Sequence, residues 1–178
     1  MRFIFAGFGG QGVMLMGQIL SYAGMIEGKN VTWIPSYGPE MRGGTANCTV
    51  VVSDEEVASP VVDKADVVVA MNIPSMLKFQ NFVTKNGYLF LNESVIDREP
   101  DVKDGISIIK VSCNEIADKL GNLKVANMVM LGAVIAKTGI VSKESIEKAF
   151  QKKLTGKKSH LIDLNKQAIE EGMKIAKG

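Results

Sequence analysis

The chain has 178 residues, a formal net charge of +2, and 46% hydrophobic against 22% charged residues. That length supports a real core burying ~70% of the unfolded surface, and the composition excludes a disordered chain. The charge is too small for a nucleic-acid-binding protein, and no basic-plus-aromatic pattern supports one.

Arg2-Phe3-Ile4-Phe5-Ala6 reads as a short apolar strand closed by glycines. Met1-Arg2 leads straight into it, so no leader peptide is expected. The stretch from Phe3 to Ile26 carries no charge, but its six glycines, two glutamines, Ser21 and Tyr22 favour a strand–turn–helix unit over a membrane span. Val13 to Glu27 has helical spacing, with Val13, Met16, Leu20, Ala23 and Ile26 on one face and Gly28 suited to closing it. Val31 to Pro35 follows as a second strand. So apolar a strand–helix–strand run predicts parallel strands buried on both faces. Thr45 to Ser53 and Asp66 to Met71 are further strands, and Pro74 suits the first turn of a helix running to about Val83. Tyr88 to Asn92 and Ile106 to Val111 complete the strand set. Ser112 and Glu115 have capping-box spacing ahead of a short helix to Leu120. Ala126 to Lys137 is a helix apolar almost all round, hence buried, and Gly132 permits close approach. Ser142 caps a helix through Phe150, and an amphipathic helix runs from about Leu161 to Ala176. The alternation predicts an α/β protein: one three-layer α/β/α domain over 1–178, with a largely parallel or mixed sheet and a Rossmann-like start.

Two glycine-rich segments carry the candidate chemistry. In Gly7-Phe8-Gly9-Gly10-Gln11-Gly12, a glycine turn between strand and helix lets backbone N–H groups face an anion, and the helix N-terminus adds about half a positive charge. Gly7, Gly9 and Gly12 match GxGxxG in the right context. A dinucleotide site also needs an acid at the end of the second strand, and Trp33-Ile34-Pro35-Ser36 has none. Three readings stay open: an NAD(P) site, glycines present only for turning and packing, or a cradle for the phosphate or pantetheine of another ligand. The second segment, Ser36 to Asn47, crowds Tyr37, Glu40, Arg42 and Asn47 between Gly38, Gly43 and Gly44. It leaves the end of a strand, where open α/β sheets bind ligands. Glu40 and Arg42 could also simply pair, a surface bridge of under about 1 kcal/mol.

A complete active site is absent from the pattern. Cys48 and Cys113 stand far apart, which excludes a CxxC redox pair, a local zinc site and a four-cysteine cluster motif; each reads as a buried thiol in a reducing cytoplasm. The single histidine, His160, lies on a basic stretch, and no GxSxG elbow, Walker lysine or HExxH is present. No catalytic residue and no metal ligand is therefore assigned.

Phe5-Ala6-Gly7-Phe8-Gly9-Gly10-Gln11-Gly12-Val13 and Pro35-Ser36-Tyr37-Gly38-Pro39-Glu40-Met41-Arg42-Gly43-Gly44-Thr45-Ala46-Asn47 resemble the gamma subunit of 2-oxoacid:ferredoxin oxidoreductases. Val52-Ser53-Asp54 with Ser59-Pro60, Met71-Asn72 and Ala126-Asn127-Met128 follow the same pattern, so the resemblance covers essentially the whole chain. That family decarboxylates a 2-oxoacid with thiamine diphosphate, passes electrons through iron–sulfur clusters to ferredoxin, and captures the acyl group on coenzyme A. The resemblance implies a cytoplasmic, non-catalytic partner of alpha, beta and ferredoxin-like delta chains, which hold the thiamine diphosphate, magnesium and clusters. It implies a coenzyme A site or subunit contact formed by Gly7, Gly9, Gly10, Gln11, Gly12, Tyr37, Gly38, Glu40, Arg42, Gly43, Gly44 and Asn47. The wording of Ser36 to Met41 is closer to 2-oxoglutarate or branched-chain 2-oxoacid enzymes than to pyruvate enzymes. A free-standing NAD(P)-binding oxidoreductase and a nucleotide- or coenzyme A-binding module are the competing expectations.

Overall fold

β1 (Arg2–Phe8) sends Phe3 and Phe5 to one side of a sheet and Ile4 and Ala6 to the other, and all four are buried. A strand apolar on both faces belongs in the interior of a sheet. The computed structural model describes residues 1–36 and 45–176. It adds β2 (Asn30–Ser36), β3 (Thr45–Ser53), β4 (Ala65–Ala70), β5 (Val83–Asn92) and β6 (Ser107–Val111) in the order β2-β3-β1-β4-β5-β6. β1, β4, β5 and β6 are mutually parallel, while β3 runs antiparallel to both β1 and β2. The sheet is therefore mixed.

The helices are α1 (Val13–Ile26), α2 (Ile73–Phe79), α3 (Cys113–Lys119), α4 (Ala126–Thr138), α5 (Lys143–Lys153) and α6 (Ile162–Ile175). Five of them share the larger core, in which Phe3, Phe5 and Phe90 meet residues of α1, α3, α4, α5 and α6. Among the described α-helices α2 alone covers the other face, where Met76 and Phe79 pack on Ile4, Ala6, Val68, Leu89 and Leu91 beside Ile96. The three layers expected from the sequence are present, but they are unequal. α4 is buried along nearly its whole length against α6. A Cβ on Gly132 would stand 2.2 Å from the Ile169 carbonyl oxygen, and one on Gly172 would stand 1.9 Å from that of Val129.

Four local expectations are corrected. β2 is not a parallel strand buried on both faces: it is an edge strand paired antiparallel with β3, and Ile34 is exposed. Its apolar residues Val31 and Trp33 serve α1 on one face only. The capping box of α3 does not form: Ser112 has backbone angles of φ −77° and ψ 62°, outside the extended region an N-cap residue ordinarily adopts, and its hydroxyl donates to Glu93 without accepting an N–H of the first turn. α2 ends at Phe79, a 3₁₀ turn Gln80–Phe82 follows, and β5 already begins at Val83. β5 absorbs Lys85-Asn86-Gly87 through a register shift against β4, a polar stretch that hid its first half. Ser142 does cap α5, accepting from the Ser145 N–H.

Candidate functional site

The chain leaves β1 through α1 toward β2 at one edge, and leaves β4 through α2 toward β5 on the other side. The carboxyl ends of β1 and β4 thus flank a topological switch point, the place where open α/β sheets form a crevice. Phe8 to Gly12 lies there. Segment 37–44 joins Ser36 to Thr45 at the same end, because Thr45 pairs with Phe8.

The turn is held from below by its own glutamine. Gln11 Oε1 accepts the Phe8 N–H at 2.7 Å and the Asn72 Nδ2 at 2.8 Å, while Gln11 Nε2 donates to the Met71 carbonyl at 3.0 Å. Asn72 in turn caps α2, its Oδ1 accepting the Ser75 N–H at 2.9 Å. From the other side Asn127, at the start of α4 and only 3% exposed, donates Nδ2 to the Gly12 carbonyl at 3.1 Å. Gly12 has a left-handed φ of 73° at the N-cap of α1. Gly12 offers that helix no side-chain cap and its first turn carries no acid, so among the described residues its N–H groups and partial positive charge remain available to an anion.

Two openings flank the exposed tip Gly9-Gly10. The first, of about 450 Å³, is lined by the turn, by Val13, Met14 and Leu15 of α1, by Ala46 of β3, and by Lys153 and Leu154. The second, of about 250 Å³, lies on the α4 side and is bounded by Gly10, Gln11, Asn114, Lys124 and Asn127. The structure thus brings Gly9, Gly10 and Gly12 to the first opening, and buries Gly7 within β1. Asn47 lies in β3 opposite Ala6 and Ser36. Its neighbours Ala46 and Cys48 belong to the α1-side core, so strand alternation turns Asn47 to the other face. Tyr37, Gly38, Glu40, Arg42, Gly43 and Gly44 lie outside the described residues.

Asn72, Asn127 and Lys153 had no assigned role in the sequence reading. Asn127 meets Gly12 across 115 positions, a pairing no local pattern reveals. Burial pushes the Cys48 thiol up to about 12 and raises Cys113 as well. His160 is exposed in the 3₁₀ turn Gly156–Leu161. Among the described residues no group of three or more His, Cys, Asp or Glu could hold a metal, and no helix is long and apolar enough to cross a membrane.

The sequence profile described as pyruvate ferredoxin/flavodoxin oxidoreductase matches residues 2–175. The chain belongs to that family. It is similar to ketoisovalerate oxidoreductase subunit VorA of Methanothermobacter thermautotrophicus, 40% identical over 97% of this chain and 35% of that one. It therefore spans about a third of the length of that relative. It is also similar to 2-oxoglutarate synthase subunit KorC of Methanocaldococcus jannaschii, 36% identical over 97% of this chain and 91% of the relative. The solved gamma subunit of a keto/oxoacid ferredoxin oxidoreductase from Geobacter sulfurreducens is 30% identical, with a TM-score of 0.85 over 98% of this chain and 97% of that one. For this member of the pyruvate ferredoxin/flavodoxin oxidoreductase family, the mixed six-stranded sheet and the glycine turn are thus features of a known architecture.

Proposed function

We propose that this chain is the gamma-type subunit of a 2-oxoacid:ferredoxin oxidoreductase complex, inert by itself, which lends its glycine turn to a coenzyme A site shared with partner chains. The observation that carries the reading is the family match over residues 2–175, which runs through the turn at the switch point. The site's chemistry supports it. Coenzyme A is a polyanion with a long amide tail. An uncapped α1 N-terminus and the Lys153 ammonium suit its phosphates, and Val13, Met14, Leu15, Ala46 and Leu154 suit its pantetheine. In this reading alpha, beta and ferredoxin-like delta chains carry the thiamine diphosphate, magnesium and iron–sulfur clusters, and the complex delivers electrons to ferredoxin in the cytoplasm. 2-Oxoglutarate is the substrate we favour, since a KorC relative matches along nearly its whole length.

The test is to recover a tagged chain from its native host without oxygen, identify what co-purifies, and assay coenzyme A-dependent reduction of a viologen dye. Partner chains with turnover on 2-oxoglutarate are expected. Turnover on a branched-chain 2-oxoacid or pyruvate alone would replace the substrate, and a solitary chain that binds NAD(P)H would replace the function. We also place Arg42, with Tyr37, Gly38, Glu40, Gly43, Gly44 and Asn47, at the ligand or subunit contact. Arg42→Ala is then expected to lower turnover of the complex by roughly 10-fold or more at unchanged melting temperature. Full activity and full coenzyme A affinity in that variant would remove Arg42 from the site.

A further inference from the structure

GxGxxG is ordinarily read as space made for a ligand, yet here two of its glycines are already filled from within. A Cβ on Gly7 would stand 2.8 Å from Gln11 Oε1 and 2.8 Å from Val13 Cγ1. A Cβ on Gly12 would stand 2.3 Å from Asn127 Nδ2, and the residue's φ of 73° disfavours any side chain. By contrast, a Cβ on Gly10 would meet nothing within 4 Å. Gly7 and Gly12 admit the protein's own carboxamides, and Gly10 is the position left open to a ligand.

The geometry points to Gln11 and Asn127 as positioning residues that hold the glycine turn in its binding shape without touching the ligand. Gln11 ties the turn to β4 and, through Asn72, to the first turn of α2 on the opposite face of the sheet. Asn127 ties the N-cap carbonyl of α1 to α4. A preset turn lets an incoming ligand meet ordered N–H groups, so the two carboxamides act on affinity by lowering the cost of ordering the loop. The role in coenzyme A binding rests on the function proposed above, whereas the holding of the turn does not.

The experiment uses the assembled complex with Gln11→Met, Asn127→Ala and, as a control for lost stability away from the turn, Ser142→Ala. Steady-state kinetics should show KM for coenzyme A raised roughly 10-fold by the first two, with kcat and the 2-oxoacid KM changed less than about twofold. Ser142→Ala should leave KM for coenzyme A unmoved. Amide hydrogen exchange, read on the same samples without ligand, should speed up at Phe8 in Gln11→Met and at the turn in Asn127→Ala. Unchanged exchange would overturn the proposal, as would faster exchange with KM for coenzyme A unmoved or with all kinetic constants falling together. If the wild-type complex shows no coenzyme A-dependent turnover, the proposed function fails, and the exchange rates alone decide whether the carboxamides hold the turn.

Discussion

Burial decides what the two cysteines can do. With Cys48 lifted to about 12 and Cys113 also raised, neither thiol ionises at neutral pH, and neither is solvent-exposed. A colorimetric thiol reagent should therefore label neither in the native protein at pH 8 and both in denaturant; rapid native labelling of either would contradict the buried placement. Glu27 shows the opposite balance. Burial tends to raise its carboxyl, but bonds from the Ser142 N–H and the Ser145 and Ser142 hydroxyls, with Lys29 nearby, bring it below its ordinary 4.5. A depressed carboxyl contributes stability that is complete above the unfolded value and is lost as pH falls through the folded one. Melting temperatures measured downward from pH 6 should thus fall below about pH 4.5 more steeply in the wild type than in Glu27→Gln. Equal slopes would show that the carboxylate is not a contributor. The sequence marked Glu27 only as a helix end, since its partner lies 115 positions away.

The α4–α6 crossing is where one added methyl should cost most among the helices. Gly132→Ala would press a Cβ into the Ile169 carbonyl, and the backbones would have to part; a loss of about 2 kcal/mol or more is expected in urea unfolding. A change under about 0.5 kcal/mol would mean the helices are less closely held. Removing the α5 cap with Ser142→Ala should cost about 1 kcal/mol, and it also removes a donor to Glu27. α4 was legible because an all-round apolar helix has one sensible place. β2 was not, because an edge strand with Val31 and Trp33 against α1 shows the same apolar run as an interior one. The α3 capping box failed although the right residues were present, because the backbone of Ser112, with ψ 62°, does not take the extended shape that aims an N-cap oxygen at the first turn.

The two cores share the same sheet, with successive residues of β1 and β4 feeding opposite faces. The proposal that 1–178 forms one domain then predicts a single calorimetric transition with equal calorimetric and van't Hoff enthalpies. Two transitions would separate the thin α2 side from the rest. The helix layers are lopsided: among the described α-helices the small α2 alone lies on its face. Among the described residues, the glycine turn and the openings beside it lie at one end of the sheet, where the parallel strands β1 and β4 end. On the subunit function proposed above, the isolated chain should give no dye reduction with any 2-oxoacid. Turnover by the chain alone would refute the subunit reading.

Hydrophobic periodicity and glycine spacing were enough to determine the α/β class, most of the elements and the position of the glycine turn, because these are encoded in neighbouring residues, while the family came from the resemblance of the Phe5–Val13 and Pro35–Asn47 segments. The antiparallel insertion of β3 between β1 and β2 came only with the tertiary structure, since strand pairing depends on which edge is open once the chain has collapsed. The same is true of the roles of Gln11 and Asn127. Gln11, between two glycines, reads as ligand-facing in one dimension and Asn127 carries no local signal at all; only the close approach of β4, α2 and α4 brings both carboxamides onto the backbone of the turn.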